Sequence, residues 1–348
     1  MKIFPFAGFI PDKTKVKFDS EFYKKMRDDF SSVFGQGLFI RYDENPALYI
    51  LRVKSKGFDS IGLVALTALD DYRNKKIVRI EQTIKQKEIL HKALNFVRTA
   101  MIKPVSILIN KNITLNTILV NWVTSHKPIL KIHYPDKKTT HQIWIIRNLN
   151  TMVNIIELFK KINHALIADG HHRFASMAHR KPGYAHDSIL TVYFTPDHIR
   201  IGSFYRIIQK RKNQSDEVII ERLKSITHDW KEVKKIKNHT HVHLIHQRRF
   251  YQFKLTSPSG ELLNHTFTRE IVQNIFDISD ETKSKRVLYQ ETLEGKTNLH
   301  DLQTQYAQDY IFLLPPLKTS RVLGIDKILP PKSTLFSPRI MNGLIVMK

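Results

Sequence analysis

The chain has 348 residues, 42% hydrophobic and 25% charged, which is too long for one ordinary core and apolar enough to fill two α/β-type cores. Its 56 Lys and Arg outnumber 32 Asp and Glu, and the net charge of +24 favours an anionic partner: nucleic acid, acidic membrane or phosphorylated ligand. With no cysteine, disulfides, thiolate catalysis and cysteine-ligated zinc are excluded. The positive residues are mostly lysines spread from end to end, as a lysine-biased composition also gives. The longest apolar runs, such as Ile61–Leu69 and Ile311–Leu317, are strand-sized, short of the roughly 20 residues of a membrane span. Met1–Phe6 has no apolar core of signal-peptide length, so the expectation is a cytoplasmic protein with no membrane partner.

In chain order, Phe22, Met26, Phe30 and Phe34 recur at helical spacing over Phe18–Phe34. Ala47–Val53 and Ile61–Leu69 read as strands. Lys85–Met101 reads as an amphipathic helix and Val105–Asn110 as a buried strand. Leu115–Thr124 fits helix or strand. Gln142–Ile146 is a strand carrying Trp144, a core residue more than a stacking platform. A helix over Met152–Ile162 leads to a short strand, His164–Ala168, and a second helix. Ser188–Phe194 and Gly202–Ile208 are further strands. After a polar cluster at Lys210–Ser215 the pattern changes. Helical stretches at Glu217–Ile226, Arg269–Phe276 and Leu299–Ala307 mix with strands at Val233–Lys237, His241–His246, Phe250–Thr256 and Asp309–Leu314. Asn342-Gly343 reads as a turn.

The stretch HALIADGHHRFASMAHR, His164–Arg180, carries the chemistry. A strand that turns through glycine into a helix presents free backbone N–H groups, and with the helix dipole these favour an anion. Gly170 permits a positive φ and close approach of a phosphate. Arg173 offers a planar fork of donors, and His171 and His172 two donors whose charge varies near neutrality. Asp169 caps the helix or helps hold a metal–phosphate complex. The same residues also fit a plain Asp-Gly turn with a capping aspartate and a satisfied buried histidine. No Gly-x-x-x-x-Gly-Lys-Ser/Thr and no Gly-x-Gly-x-x-Gly is present, so nucleotide binding would need other architecture.

IADGHHRF at Ile167–Phe174 resembles the signature of domain-of-unknown-function family 1015. PFAGFIP at Pro5–Pro11, IGLVALTALDDY at Ile61–Tyr72, RIEQTI at Arg79–Ile84, HQIWII at His141–Ile146, IGSFYRII at Ile201–Ile208 and PPKSTLFSPRIMNGLIV at Pro330–Val346 are similar to its other segments, in order. The resemblance implies a ParB/sulfiredoxin-like nucleotide-binding core in an α/β protein with a mixed sheet and a second α+β domain. It implies free serine kinase-like chemistry: transfer of a phosphoryl group from ADP or ATP with Mg²⁺ to free L-serine or a similar hydroxyl compound. Carried across, Glu81 is the candidate base, with His172 beside it in the catalytic set. Asp169, Gly170, His171, His172 and Arg173 hold phosphates, and Asp169 meets Mg²⁺ through them. Lys332, Ser333 and Thr334 bring a cation and two hydroxyls to the same anion, or form a surface turn.

The expected organisation is an N-terminal α/β segment over 1–60, the nucleotide-binding core over 61–210, and a C-terminal α+β domain over 211–348 returning to the core through 330–346. Two departures stand out. The family's His before the Glu is Ile80, and its Pro-Pro-Tyr-Asp-Val-like segment has no clear counterpart between Pro11 and Phe18. A catalytically degenerate member and a ParB-like nucleotide-dependent DNA-binding protein are the alternatives. Nothing in the sequence fixes the oligomeric state.

Overall fold

The computed structural model describes the chain except residues 43, 82–99, 136–137, 180–186, 237–239, 282, 293–298, 325–327 and 331. It divides into two units, Met1–Arg200 with Pro338–Lys348, and Ile201–Ser337. Among the described residues, no helix is long and apolar enough to cross a membrane.

Nine strands build the sheet of the first unit: β1 (Ile3–Phe4), β2 (Leu48–Ser55), β3 (Phe58–Ala68), β4 (Ile77–Arg79), β5 (Val105–Ile109), β6 (Leu130–Tyr134), β7 (Thr139–Ile146), β8 (Ala165–Asp169) and β9 (Ser188–Phe194). Their order is β4-β8-β5-β9-β3-β2-β7-β6, with β1 beside β3. The sheet is mixed: β8 runs parallel to β4 and β9 parallel to β5, while the other pairs are antiparallel. Every residue of β5 and β9 is buried, so these strands read as continuous apolar runs covered on both faces. At Gly62 of β3 an added Cβ would lie 2.6 Å from the Phe194 ring, so glycine lets that ring lie flat against the strand.

Helices α1 (Ser20–Asp28) and α2 (Phe30–Gly35) split the single helix expected over Phe18–Phe34. Asp29 is the cause. Its extended φ ends the first helix, and its carboxylate accepts from the Ser32 N–H to start the second. Asn112 caps α3 (Ile113–Ser125) in the same way and settles the Leu115–Thr124 stretch as helix. Asn148 caps α4 (Leu149–Lys160). Leu115, Leu119 and Val123 of α3 share one core with Met152, Ile155 and Phe159 of α4, and Trp144 lies in it, as expected of that residue. For residues 85–99, the helix expected over Lys85–Met101 lies outside the described residues. Gly343 adopts φ +73° beside Asn342, a turn as expected.

The second unit holds an antiparallel six-stranded sheet, β10 (Phe204–Ile208), β11 (His228–Val233), β12 (Val242–His246), β13 (Arg249–Lys254), β14 (Val287–Glu291) and β15 (Tyr310–Leu313), ordered β11-β13-β12-β15-β10-β14. The strand expected at Val233–Lys237 lies five residues earlier, as β11, and β14 was not anticipated. Both are edge strands with little buried side chain, so they carry no alternating apolar signal. The helix expected over Arg269–Phe276 overlaps a π-helical stretch, Thr268–Gln273.

Asp216, in the first turn of α6 (Asp216–Ile226), ties this unit together. Its carboxylate accepts from Lys210 Nζ at 2.7 Å, Gln247 Nε2 at 2.9 Å and the Tyr310 hydroxyl, and lies 3.3 Å from His246 Nε2. Burial raises its pKa, but Lys210, Tyr310 and His246 outweigh that and hold it below the ordinary value. A depressed folded pKa contributes stability that is complete above the unfolded value, about 3.9, and is lost as pH falls through the folded one. Asp216→Asn should therefore cost about 1–3 kcal/mol at neutral pH. Thermal unfolding should show the gap to wild type closing below about pH 4.

Candidate functional site

Strand β8 ends at Asp169 and the chain turns at once into α5 (His171–Ala178). Gly170 makes the turn with φ 100° and ψ 24°, in the left-handed region. Contact as well as conformation requires glycine, because a Cβ would meet Arg173 Nη2 at 2.6 Å and Val105 Cγ2 at 3.1 Å. The first helical bond runs from Phe174 N–H to Gly170 O, so the N–H groups of His171, His172 and Arg173 lie outside the helical ladder at the positive end of the dipole.

Arg173 turns inward. Its Nη1 donates to the Lys103 and Pro104 carbonyls at 2.6 and 3.0 Å, and its Nη2 to Asp169 Oδ2 at 3.1 Å. Lys103 Nζ reaches the same oxygen at 3.2 Å. Antiparallel pairing of β8 with β5 explains the meeting, since it sets the residues leading into β5 beside the end of β8, with Ser106 opposite Asp169. Two of the five guanidinium N–H groups are not used in these bonds. Burial pushes Asp169 up, but Lys103 and Arg173 more than offset it, and the carboxyl stays ionised far below its usual range. Asp169 keeps 47% of its side chain exposed, and its other oxygen has no partner among the described residues. For Lys103, the attraction of Asp169 is outweighed by burial together with the positive Arg173 and Arg339, and its pKa is lowered.

His171 departs from the expectation of a charge variable near neutrality. Burial pushes its pKa down to about 4, and His172, Arg79 and Arg173 act in the same direction against Asp169. The ring is neutral at pH 7, and its Nε2 is buried without a hydrogen-bond partner among the described residues.

Glu81 approaches the same edge by register. The last pair of the parallel β4–β8 ladder is Arg79 with Ile167. Glu81 follows two residues after Arg79, at the end of β4, as Asp169 follows Ile167 at the end of β8. Ile80 points into the core at 1% exposure. A histidine there would need partners for buried ring nitrogens.

Lys332, Ser333 and Thr334 lie in the second unit. Lys332 has φ +59° and its ammonium sits 5.1 Å from the Phe204 ring centre. Ser333 and Thr334 are buried, and the Ser333 hydroxyl donates to Pro330 O at 2.7 Å. Among the described residues, no three His, Asp or Glu side chains gather as a metal site. A magnesium ion would have one free Asp169 oxygen and would draw its other ligands from phosphate and water. Sequence reasoning missed Lys103, Arg79 and Arg339. They are charges far apart in the chain: pairing of β8 with β4 and β5 brings up Arg79 and Lys103, and the C-terminal segment that carries Arg339 bonds back to Met101 and Ile102.

The chain resembles several solved structures at low identity. SbnI from Staphylococcus aureus, C-terminally truncated, is 12% identical, with 80% of this chain and 85% of that one covered at TM-score 0.46. A conserved hypothetical protein from Pyrococcus furiosus is 16% identical, covering 80% and 93% at 0.41. A free serine kinase variant in complex with ADP is 13% identical, covering 82% and 94% at 0.43. No curated protein sequence matches. The profile of the family described as protein of unknown function DUF1015 matches residues 9–280, most of the chain, and the chain belongs to that family.

Proposed function

We propose that the chain binds a nucleotide at the Asp169–Arg173 turn and transfers a phosphoryl group to the hydroxyl of free serine or a similar small compound. One observation carries the reading: a left-handed glycine at a helix start, with Lys103, Arg173 and Arg339 acting on the carboxylate of Asp169 and Arg79 on the adjoining His171. That is an excess of positive charge where backbone donors point outward, the chemistry an oligophosphate requires. The motif resemblance, with the ParB/sulfiredoxin-like core it implies, narrows the anion to ADP or ATP.

Each residue then has a task. The N–H groups at the start of α5 and the two remaining Arg173 donors hold phosphate oxygens. Lys103 neutralises charge from the side of Asp169. Neutral His171 offers one ring nitrogen as donor or acceptor without adding charge. His172 lies next to it and completes the set around the transferred group. Asp169 would hold Mg²⁺, which supplies further charge neutralisation. Glu81 orients the acceptor hydroxyl and takes its proton as the new P–O bond forms. The +24 charge favours a second reading, nucleotide-switched DNA binding, which would weaken steeply with added salt as counterions are released.

Gly170→Ala should weaken ADP or ATP binding by roughly tenfold or more, because a strained φ costs on the order of 1–3 kcal/mol and the new Cβ displaces Arg173. Arg173→Ala should weaken binding and also lower the Tm. Calorimetry against ADP and ATP with Mg²⁺ measures both, and affinities equal to wild type would contradict the site. Glu81→Gln should leave nucleotide affinity intact while phosphoserine formation falls by about 10²–10⁴-fold. Full turnover in that variant would remove Glu81 from the chemistry.

A further inference from the structure

Strand β10 lies in the segment IGSFYRII, which the nucleotide turn does not use, and its Arg206 is buried inside the second unit at 2% exposure. Alternation along the strand puts Phe204, Arg206 and Ile208 on one face. Register sets Tyr289 of β14 and Phe312 of β15 on either side of Arg206. The Phe267 ring centre lies 5.3 Å from the guanidinium carbon. Glu281, 5% exposed, brings a carboxylate to 3.8 Å from Arg206 Nε. That contact balances the charge and satisfies no donor: Arg206 Nε and Nη2 are buried and hydrogen-bonded to nothing among the described residues. A buried guanidinium with unmade bonds is costly, and folded proteins keep few such groups without an occupant or a use for them.

Glu281 is better served. Its Oε1 accepts from the Thr268 hydroxyl at 3.1 Å and its Oε2 from the Tyr289 hydroxyl at 2.8 Å, which leaves acceptor capacity on both oxygens. Burial and the Glu281 carboxylate push the Tyr289 hydroxyl above its ordinary pKa, against the pull of Arg206, so it stays a donor. Thr268 opens the π-helical stretch Thr268–Gln273, and such stretches recur at functional sites. Further along the same face of β10, the ammonium of the exposed Lys332 sits over the Phe204 ring at 5.1 Å, so the face reaches solvent at that end.

We propose that Arg206 and Glu281 form a binding site for a free α-amino acid within the second unit. The site uses no residue of the Asp169–Arg173 turn. Arg206 offers a planar fork of N–H donors, which pairs with a carboxylate through two parallel bonds. Glu281 offers acceptors suited to an ammonium. A carboxylate alone would leave the enclosed site with an excess negative charge, and an amine alone with an excess positive one. A molecule bearing both groups on one carbon adds no net charge to a place where net charge is expensive. The rings of Phe267 and Tyr289 face the rest of the molecule and favour a short apolar side chain.

Calorimetry and thermal unfolding of the full chain without nucleotide test this, with glycine, L-alanine, L-serine and L-valine as probes and acetate and methylamine as half-ligands. The expected result is saturable binding of at least one amino acid, a Tm that rises with its concentration, and no response to either half-ligand. Arg206→Lys keeps the charge and loses the fork, and should weaken binding by roughly tenfold or more. Arg206→Met with Glu281→Gln removes both charges at once. Buried ion pairs tolerate such replacement, so this variant should unfold near the wild-type Tm and bind no amino acid. Gly170→Ala and Glu81→Gln should bind the amino acid as wild type does, which separates this site from the nucleotide reading. No response to any of the four amino acids would overturn the proposal and leave Arg206 as a structural ion pair served by buried water. Binding that the double variant retains, or that acetate alone reproduces, would overturn it as well.

Discussion

The carboxylate of Asp169 is the point on which the candidate site depends. One of its oxygens holds both Lys103 and Arg173, and Arg173 in turn fastens the carbonyls of Lys103 and Pro104. These bonds tie the end of β8 to the approach of β5, two segments nearly seventy residues apart. With Arg173 drawn under the turn, no room is left for a side chain at position 170. Glycine, the left-handed φ and the outward N–H groups of α5 therefore follow from one ion cluster. The positive charge comes from the side of the sheet edge, through Arg79 and Arg339, as well as from the turn itself.

Charge is distributed unevenly over the first unit. The β8–α5 edge gathers Lys103, Arg173 and Arg339 around Asp169, while α3 carries no charged residue and α4 only Glu157 and Lys160. In the second unit Asp216 does for α6 and β15 what Asp169 does for the turn: a low-pKa carboxylate gathers a lysine, a tyrosine and a histidine from separate strands and loops.

Much of this was legible in the sequence. The strand–Gly–helix order around Asp169–Arg173, the buried strands β5 and β9, and the core position of Trp144 all follow from local pattern. The break at Asp29 was legible too, had its capping chemistry been weighed against the four-residue spacing of phenylalanines. What pattern could not give was the inward turn of Arg173. A guanidinium that looks like a free phosphate fork in the string of letters spends three bonds on groups placed beside it by strand pairing. The neutrality of His171 has the same origin, since burial and three neighbouring bases act on it only in the fold. Edge strands β11 and β14 escaped because they show no apolar alternation: β11 is mostly polar, and β14 runs from three apolar residues into two polar ones. Ile80 shows the opposite case: a change at a motif position that is explained once the side chain is seen inside the core.

The measurement that bears most directly on the central claim is a crystal structure of the protein grown with Mg²⁺ and ADP. The account predicts phosphate oxygens within hydrogen-bond distance of the backbone N–H groups of His171, His172 or Arg173, with Lys103 and Asp169 still paired beneath them. A diphosphate bound elsewhere, with the Gly170 turn unchanged and facing solvent, would contradict it.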